Sequence, residues 1–416
     1  MSKVAIVSLG YLWFPCEAGT SRFFQIANTF VQRGYEVETI TTSFQHFKKI
    51  PRDQKLILEQ GYPFKITFIE TPPYKKNVDP KRVLSNVRAA RNLKIYLKQH
   101  IKEYDAVYVS IPANNIAAVV TEICKANQVP CVVDIEDLWP EAMSMIVKNK
   151  TLRDIIFHSF TVDAEKAYAN ADGVIGTSED YTARAFKRQQ RVIPKDTVYV
   201  GCDLSVFDEG VRQYKTEIEK PDEEFWITYA GSISTSYDIR TLVLAAEELL
   251  KKGEKDIRIQ ILGTGSVKDE LETLVKDRNI TNVKFWGFTP YPKMAAVLDA
   301  SDVVINSFVK GAPQSIVNKV GDYLASGHPM INTLENPVFC DLINKYQVGI
   351  NIEPENVEAL ADVILKLKKD AEGMAMMGAN ARHLAETEFD RGTSYERIVN
   401  MVASLITNKE NKNESI

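Results

Sequence analysis

The 416-residue chain is poor in the residues that build metal centres and disulfide scaffolds: five cysteines and five histidines, all scattered. Cys16, Cys124, Cys131, Cys202 and Cys340 form no Cys-x-x-Cys pair, and no His-Glu-x-x-His occurs. That excludes the usual zinc patterns, and no metal site is expected. An odd, scattered set of thiols reads as reduced cysteine in a cytoplasmic protein. No apolar run approaches the roughly 18 residues that a membrane-spanning helix needs. The start, Met1-Ser2-Lys3 followed by apolar residues over 4–14, lacks a clean small-residue cleavage site. It is read as a buried first strand and not as a signal peptide. A Gly-x-Gly-x-x-Gly fingerprint is also missing, so dinucleotide binding of that type is not indicated.

What is present is ordinary globular material, 45% hydrophobic and 25% charged. At roughly 150 residues per domain the length suggests two to three domains. Charge is uneven: residues 1–100 hold 16 Lys and Arg against 7 Asp and Glu, +9, while the whole chain carries −4. Such asymmetry suggests that the first part meets an anionic partner.

Short β-branched runs alternate with segments of helical period. Strands are predicted over 4–9, 37–41, 66–70, 106–110, 131–134, 174–177 and 198–201, then over 226–230, 257–262, 283–286, 303–306 and 330–332. Helices fall between most of them, over 21–33, 115–127, 240–252 and 267–278 among others. Continuous apolar strands separated by helices mean parallel sheets covered on both faces. The expected fold is α/β with two Rossmann-like, doubly wound domains. The first is expected over 1–207, a charged linker over 208–224, and the second domain over 225–390. A last helix is predicted over 393–406, with a frayed tail over 407–416. Between Phe44 and Pro80 lies a long polar insertion containing proline. A helix over 81–104 follows, with Val83, Val87, Ala90, Leu93, Leu97 and Ile101 as its buried stripe. Arg88, Arg91, Lys94, Lys98 and Lys102 form a basic neighbouring face, either solvated or set against anionic lipid.

In such domains ligands bind beyond the carboxyl ends of the strands, where helix N-termini favour phosphate. Four junctions stand out. Gly19, Thr20, Ser21 and Arg22 follow the first strand, where capping and substrate contact are both open readings. Gly231, Ser232, Ser234, Ser236, Tyr237 and Asp238 follow the strand over 226–230, with Ser236 as the expected helix cap. Gly263 and Gly265 mark a third strand-to-helix turn. The fourth runs from Lys310 to Pro329, with a helix starting near Ser315. Backbone N–H groups of Ser315, Ile316, Val317 and Asn318 would then be free for a diphosphate. Lys319 could neutralise it and Asp322 suits a ribose; the alternative is an i,i+3 surface pair.

These pieces together resemble the retaining GT-B glycosyltransferases of family 4, particularly their bacterial surface-polysaccharide branch. The matching residues are Ala18-Gly19-Thr20 with Gly34-Tyr35-Glu36-Val37, Asp134-Ile135-Glu136-Asp137-Leu138-Trp139-Pro140-Glu141, and Ala171-Asp172-Gly173 running to Thr177-Ser178. They continue with Gly201-Cys202-Asp203, Leu262-Gly263-Thr264-Gly265, and Asn318-Lys319-Val320-Gly321-Asp322-Tyr323-Leu324-Ala325-Ser326-Gly327-His328-Pro329.

The resemblance implies two Rossmann-like domains facing a cleft, an acceptor site mainly on the first and a nucleotide sugar on the second. It also implies a final helix crossing back to the first domain. Acceptor-side residues would be Gly19, Thr20, Arg22, Asp134, Glu136 and Asp137. The donor would meet Gly231, Ser232, Ser234, Tyr237, Gly263, Gly265, residues 315–318 and Asp322, with Gln314 and Lys319 nearest the chemistry. No metal or other cofactor is implied beyond the co-substrate, for which UDP is the expected nucleotide. The implied activity is transfer of a sugar to a glycan or lipid-diphosphate-linked acceptor in surface polysaccharide synthesis, in the cytoplasm and peripherally at the inner membrane face, with no nucleic-acid partner.

The sequence departs from the family where two glutamates eight residues apart are usual and Gln314 and Asp322 stand here. Ser232 and Tyr237 replace a common Arg and Lys, and Glu136 stands where the branch commonly has Arg. These changes motivate an alternative, a non-catalytic GT-B subunit that binds a glycan or a partner.

Overall fold

The computed structural model describes all residues except Thr20, Asn77, Val78, Met143, Ser144, Met145, Ile146, Lys148, Ser415 and Ile416, and only the backbone of Ala18 and of 412–414. The chain forms two compact units, Met1–Tyr199 with Ser394–Ile416, and Val200–Thr393.

The first unit is built on a seven-stranded sheet: β1 (Lys3–Val7), β2 (Glu36–Thr42), β3 (Lys65–Ile69), β4 (Ala106–Ile111), β5 (Cys131–Ile135), β6 (Gly173–Gly176) and β7 (Lys195–Thr197). Their order is β3-β2-β1-β4-β5-β6-β7, and every pairing is parallel. Both faces are covered because alternate side chains of one strand enter different cores. Ala5 and Val7 join one apolar cluster, Val4 and Ile6 the other.

The second unit repeats the plan with β8 (Phe225–Ala230), β9 (Ile257–Leu262), β10 (Val283–Gly287), β11 (Val303–Asn306), β12 (Met330–Asn332) and β13 (Gly349–Asn351). Their order is β10-β9-β8-β11-β12-β13, again parallel. In both sheets the order reverses beside the first strand, and that reversal creates the crevice where such folds take ligands.

Five helices matter below: α1 (Arg22–Gln32), α2 (Pro80–His100), α3 (Ile239–Lys251), α4 (Lys319–Ala325) and α5 (Arg391–Glu414). From Ser394 onward α5 belongs to the first unit, where Tyr395, Ile398, Val399 and Val402 join the Val4–Ile6 core. It continues as helix to Glu414, so the expected frayed tail over 407–416 is helical over most of its length.

Three further expectations are corrected. The segment 208–224 is not an open linker: Leu204–Tyr214 is a helix capped by Asp203, whose side chain accepts from Val206 N. Leu204 and Phe207 are buried, and Asp208 pairs with both terminal nitrogens of Arg382 at 2.7 and 2.8 Å. The charged composition hid an amphipathic helix. Second, the last strand of the first sheet is 195–197 rather than 198–201, and β13 had not been predicted. The insertion over 44–80 holds a short hairpin (Phe44–Gln45 with Ile50–Pro51), a helix (Gln54–Glu59) and β3.

Third, the expected α2 stripe holds at Ala90, Leu93, Leu97 and Ile101, which are buried, and fails at Val83 and Val87. The helix buries Ser85, Ala89, Ala90, Leu93 and Leu97, whereas Val83 and Val87 stand 54% and 56% exposed with Leu84 beside them. Small Ser and Ala side chains let this helix approach the sheet closely, so larger Val faces outward. Leu93→Ala should therefore cost about 2–5 kcal/mol in urea unfolding, and Val87→Ala no more than about 0.5 kcal/mol. Equal costs would mean that the Val83–Val87 face is the buried one.

Candidate active site

The second unit places its chemistry at the carboxyl ends of β8, β9 and β11. Three glycines let the backbones there pass in contact. A Cβ on Gly263 would lie 1.8 Å from Gly231 O, and one on Gly265 would lie 2.1 Å from Ile233 O. Gly231 N donates to Leu262 O and Ile233 N to Thr264 O, locking the two loops together. Side chains at 263 and 265 are excluded by backbone, which explains the Gly-Thr-Gly turn on structural grounds. Gly231 faces the other way, toward Lys319: its Cβ would meet Nζ at 3.4 Å.

Lys319 opens α4, and its ammonium enters an aromatic cage. Nζ lies 4.2 Å from the ring centres of both Tyr229 and Tyr237, and 5.3 Å from that of Phe308. The nitrogen is buried and has no hydrogen-bond partner among the described residues. Ring faces attract a cation, by about 2 kcal/mol when desolvated, yet replace none of its hydration hydrogen bonds. Burial accordingly holds the amine well below the ordinary lysine range. A diphosphate would supply both the acceptors this amine lacks and the charge that favours its protonated form.

Two polar groups accompany it. Gln314 Oε1 is buried without a hydrogen-bond partner among the described residues. Asp322, one turn along α4 from Lys319, accepts from Tyr291 Oη at 2.7 Å. Burial pushes its carboxyl up to about 6, against the opposing effects of the Tyr291 hydrogen bond and the Arg391 charge.

Several expected details differ. The helix begins at Lys319, four residues later than read, so Ser315, Ile316, Val317 and Asn318 form the loop before it. Ser315 is buried and Asn318 exposed. Asp238, not Ser236, caps α3, accepting from Thr241 N at 3.1 Å. Ser232 is exposed and Ser234 half-buried, and their carbonyls accept from Tyr229 Oη and Tyr237 N. Lys319 and Asp322 form no ion pair among the described residues, against the surface-pair reading. Tyr229, Phe308 and Tyr291 were missed. Their only sequence signal is an aromatic at or just beyond a strand end, and the core uses the same pattern.

In the first unit Arg22, Asp134 and Glu136 come together. Arg22 Nε lies 3.0 Å from Asp134 Oδ2 and 3.0 Å from Glu136 Oε1, while Nη1 donates to Tyr199 O at 2.8 Å. Tyr108 Oη donates to Asp134 at 2.6 Å. Arg22 and Asp134 are thus committed to a buried network, with Glu136 at its less buried end. Asp137 is separate: it accepts from Leu138 N and from Trp139 Nε1, and so orients that indole. Gly19 takes a φ of 90° after the short helix Pro15–Ala18. Thr20 lies outside the described residues. Among the described residues no group of three or more His, Cys, Asp or Glu side chains could hold a metal ion.

Comparison with known proteins agrees with this geometry. Residues 211–384, within the second unit, match the family Glycosyl transferases group 1. WcaI of Escherichia coli (strain K12), named for a glycosyl transferase of colanic acid biosynthesis, is 24% identical over 200 residues, covering 47% of either chain. The Poly(ribitol-phosphate) alpha-N-acetylglucosaminyltransferase of Staphylococcus aureus (strain COL) is 27% identical over 164 residues, 39% of this chain and 32% of that one. The chain spans about half or less of the length of these two curated relatives. Among solved structures, HepE of Anabaena in complex with UDP superposes with a TM-score of 0.69 at 16% identity, over 97% of this chain and all of that one. The two Rossmann-like parallel sheets are thus the GT-B fold of known glycosyltransferases.

The raised Asp322 carboxyl gives a signed expectation. A carboxyl whose folded value exceeds its unfolded value near 3.9 binds more protons when folded, so its contribution to stability falls as pH rises from about 4 to about 6. Asp322→Asn, which keeps an acceptor for Tyr291, should stabilise the protein at neutral pH by on the order of 1–3 kcal/mol and hardly at pH 4. Thermal unfolding across that range checks it; a less stable variant at pH 7 would show that the Tyr291 contact outweighs burial.

Proposed function

We propose that the protein is a glycosyltransferase that moves a sugar from a nucleotide-diphosphate sugar, UDP-linked by expectation, to a glycan or lipid-linked acceptor in surface polysaccharide synthesis, with retention and without metal. The observation that carries this reading is the buried Lys319 ammonium among Tyr229, Tyr237 and Phe308. The matched family over 211–384 and the shared fold support it.

In this reading Lys319 holds the diphosphate, Gln314 meets the donor sugar, and Asp322 accepts from the ribose. Gly231, Ser232, Ser234, Tyr237, Gly263, Gly265 and 315–318 frame that donor. The acceptor oxygen forms its bond to the anomeric carbon as the bond from that carbon to the diphosphate oxygen breaks. The leaving diphosphate takes the acceptor hydroxyl's proton on the same face, so no protein nucleophile is needed. Lys319 stabilises charge that grows on the leaving group, which is where fixed electrostatics lower a barrier. The first unit, with Glu136 and Asp137, recognises the acceptor.

Calorimetric titration with UDP tests the donor site. Lys319→Met should weaken binding by about 1.5–3 kcal/mol, the scale of a charged hydrogen bond. An adjacent diphosphate favours the ammonium that burial disfavours, so binding takes up a proton above the free amine's depressed pKa. Affinity should therefore fall as pH rises above the free amine's depressed pKa in the native protein and stay flatter in Lys319→Met. Unchanged affinity in the variant would remove the donor from this site.

Membrane contact is a separate part of the proposal. No helix among the described residues is long and apolar enough to cross a membrane. The outward face of α2 pairs exposed Val83, Leu84, Val87 and Ile95 with Arg88, Arg91 and Lys98. Apolar side chains flanked by cations suit an anionic interface. Arg88→Gln/Arg91→Gln/Lys98→Gln should lose most sedimentation with phosphatidylglycerol vesicles; undiminished sedimentation would leave this face merely solvated.

A further inference from the structure

Beyond the strand ends of β1, β2 and β4 the first unit encloses a cavity of about 50 Å³, lined by Tyr11, Thr42, His46, Thr71, Arg82 and Trp139 among others. Arg82, in the first turn of α2, lies with its guanidinium 4.9 Å from the Trp139 ring centre and donates to Tyr74. The same Tyr74 hydroxyl is hydrogen-bonded to His46 Nδ1. Burial, with the charges of Arg82 and Lys49, pushes His46 down to about 3, so its ring is uncharged at physiological pH. Thr71 Oγ1 is buried without a hydrogen-bond partner among the described residues. Two cations, Arg82 and Lys49, thus stand at this wall, and the Asp137 and Glu136 carboxylates act on Tyr11.

Beside it stands an aromatic cluster. Phe47 is 53% exposed, and its ring centre lies 4.8 Å from Trp13, 5.2 Å from His46 and 6.2 Å from Tyr11. An exposed ring held by three others suits the C–H face of a sugar. The cavity itself holds only a small group, about the size of one or two water molecules.

We propose that this cavity is an acceptor subsite for a sugar bearing an oxyanion, phosphate ester or carboxylate, with the oxyanion against Arg82 and the ring on Phe47. The inference rests on the glycosyltransferase reading and names the acceptor's chemical class.

The test is calorimetric titration of the full chain, with saturating UDP present, using glucose 1-phosphate, glucuronate and glucose. One of the two anionic sugars should bind at least tenfold more tightly than glucose, and which one identifies the oxyanion. Arg82→Gln should abolish that preference; Lys102→Gln, an exposed cation beyond the same helix, should not. Phe47→Ala should weaken all three sugars alike. An unchanged UDP-induced thermal shift in Arg82→Gln verifies that the variant is folded. Equal binding of the three sugars, no binding of any, or a preference that survives Arg82→Gln overturns the subsite. A native protein that does not respond to UDP strikes the donor reading instead, and the sugar preference then stands or falls alone.

Discussion

The second unit depends on one electrostatic imbalance: a lysine amine buried among three aromatic rings with no hydrogen-bond partner among the described residues. Folding does not favour this arrangement. Burying Lys319 Nζ forfeits hydration that cation–π contact only partly restores, and its depressed pKa records the deficit. Such a site is stabilised by whatever anion binds it, because the bound anion removes the desolvation cost along with supplying its own attraction. The rest of the site serves this placement. Gly231 keeps a side chain away from Nζ, Tyr237 closes the cage from the start of α3, and the crossed backbones at Gly263 and Gly265 hold the loops rigid.

The first unit uses charge in the opposite way. Arg22 is paired with Asp134 and Glu136 and tied to Tyr199 O, which makes it a link from the start of α1 to β5 and to the chain beyond β7. Losing one partner of such a buried pair leaves an uncompensated charge, so the network stabilises geometry more than it offers reactivity. Arg82 lies against the Trp139 indole and donates to Tyr74 at the wall of a cavity. In the proposed reading, an anion meets Lys319 in one unit and Arg82 in the other.

Much of this was legible in the sequence, and the limits have physical causes. Parallel sheets announce themselves through continuous apolar strands, so both doubly wound units could be read directly. Lys319 and Asp322 drew attention because a glycine-bounded helix follows a strand end, and Gln314 only through the family resemblance; that helix starts later than its polar preamble suggested. The helix Leu204–Tyr214 was lost because charged residues outnumber its buried Leu204 and Phe207. Only the first turns of α2 differ from the reading, because Ser85 and Ala89 seal the contact there and hydrophobicity alone favours Val83 and Val87 for that role. The aromatic cage and the Arg82 cavity assemble from segments far apart in the chain, and no local pattern encodes that convergence.

The most direct measurement is the titration of the Lys319 amine itself, followed by NMR on protein labelled at the lysine ε-carbon and assigned by loss of the signal in Lys319→Met. The account predicts a resonance titrating well below the ordinary value of about 10.4 in the free protein and moving upward when UDP is added. A resonance titrating near 10.4 without ligand, or one that UDP leaves unmoved, would contradict it.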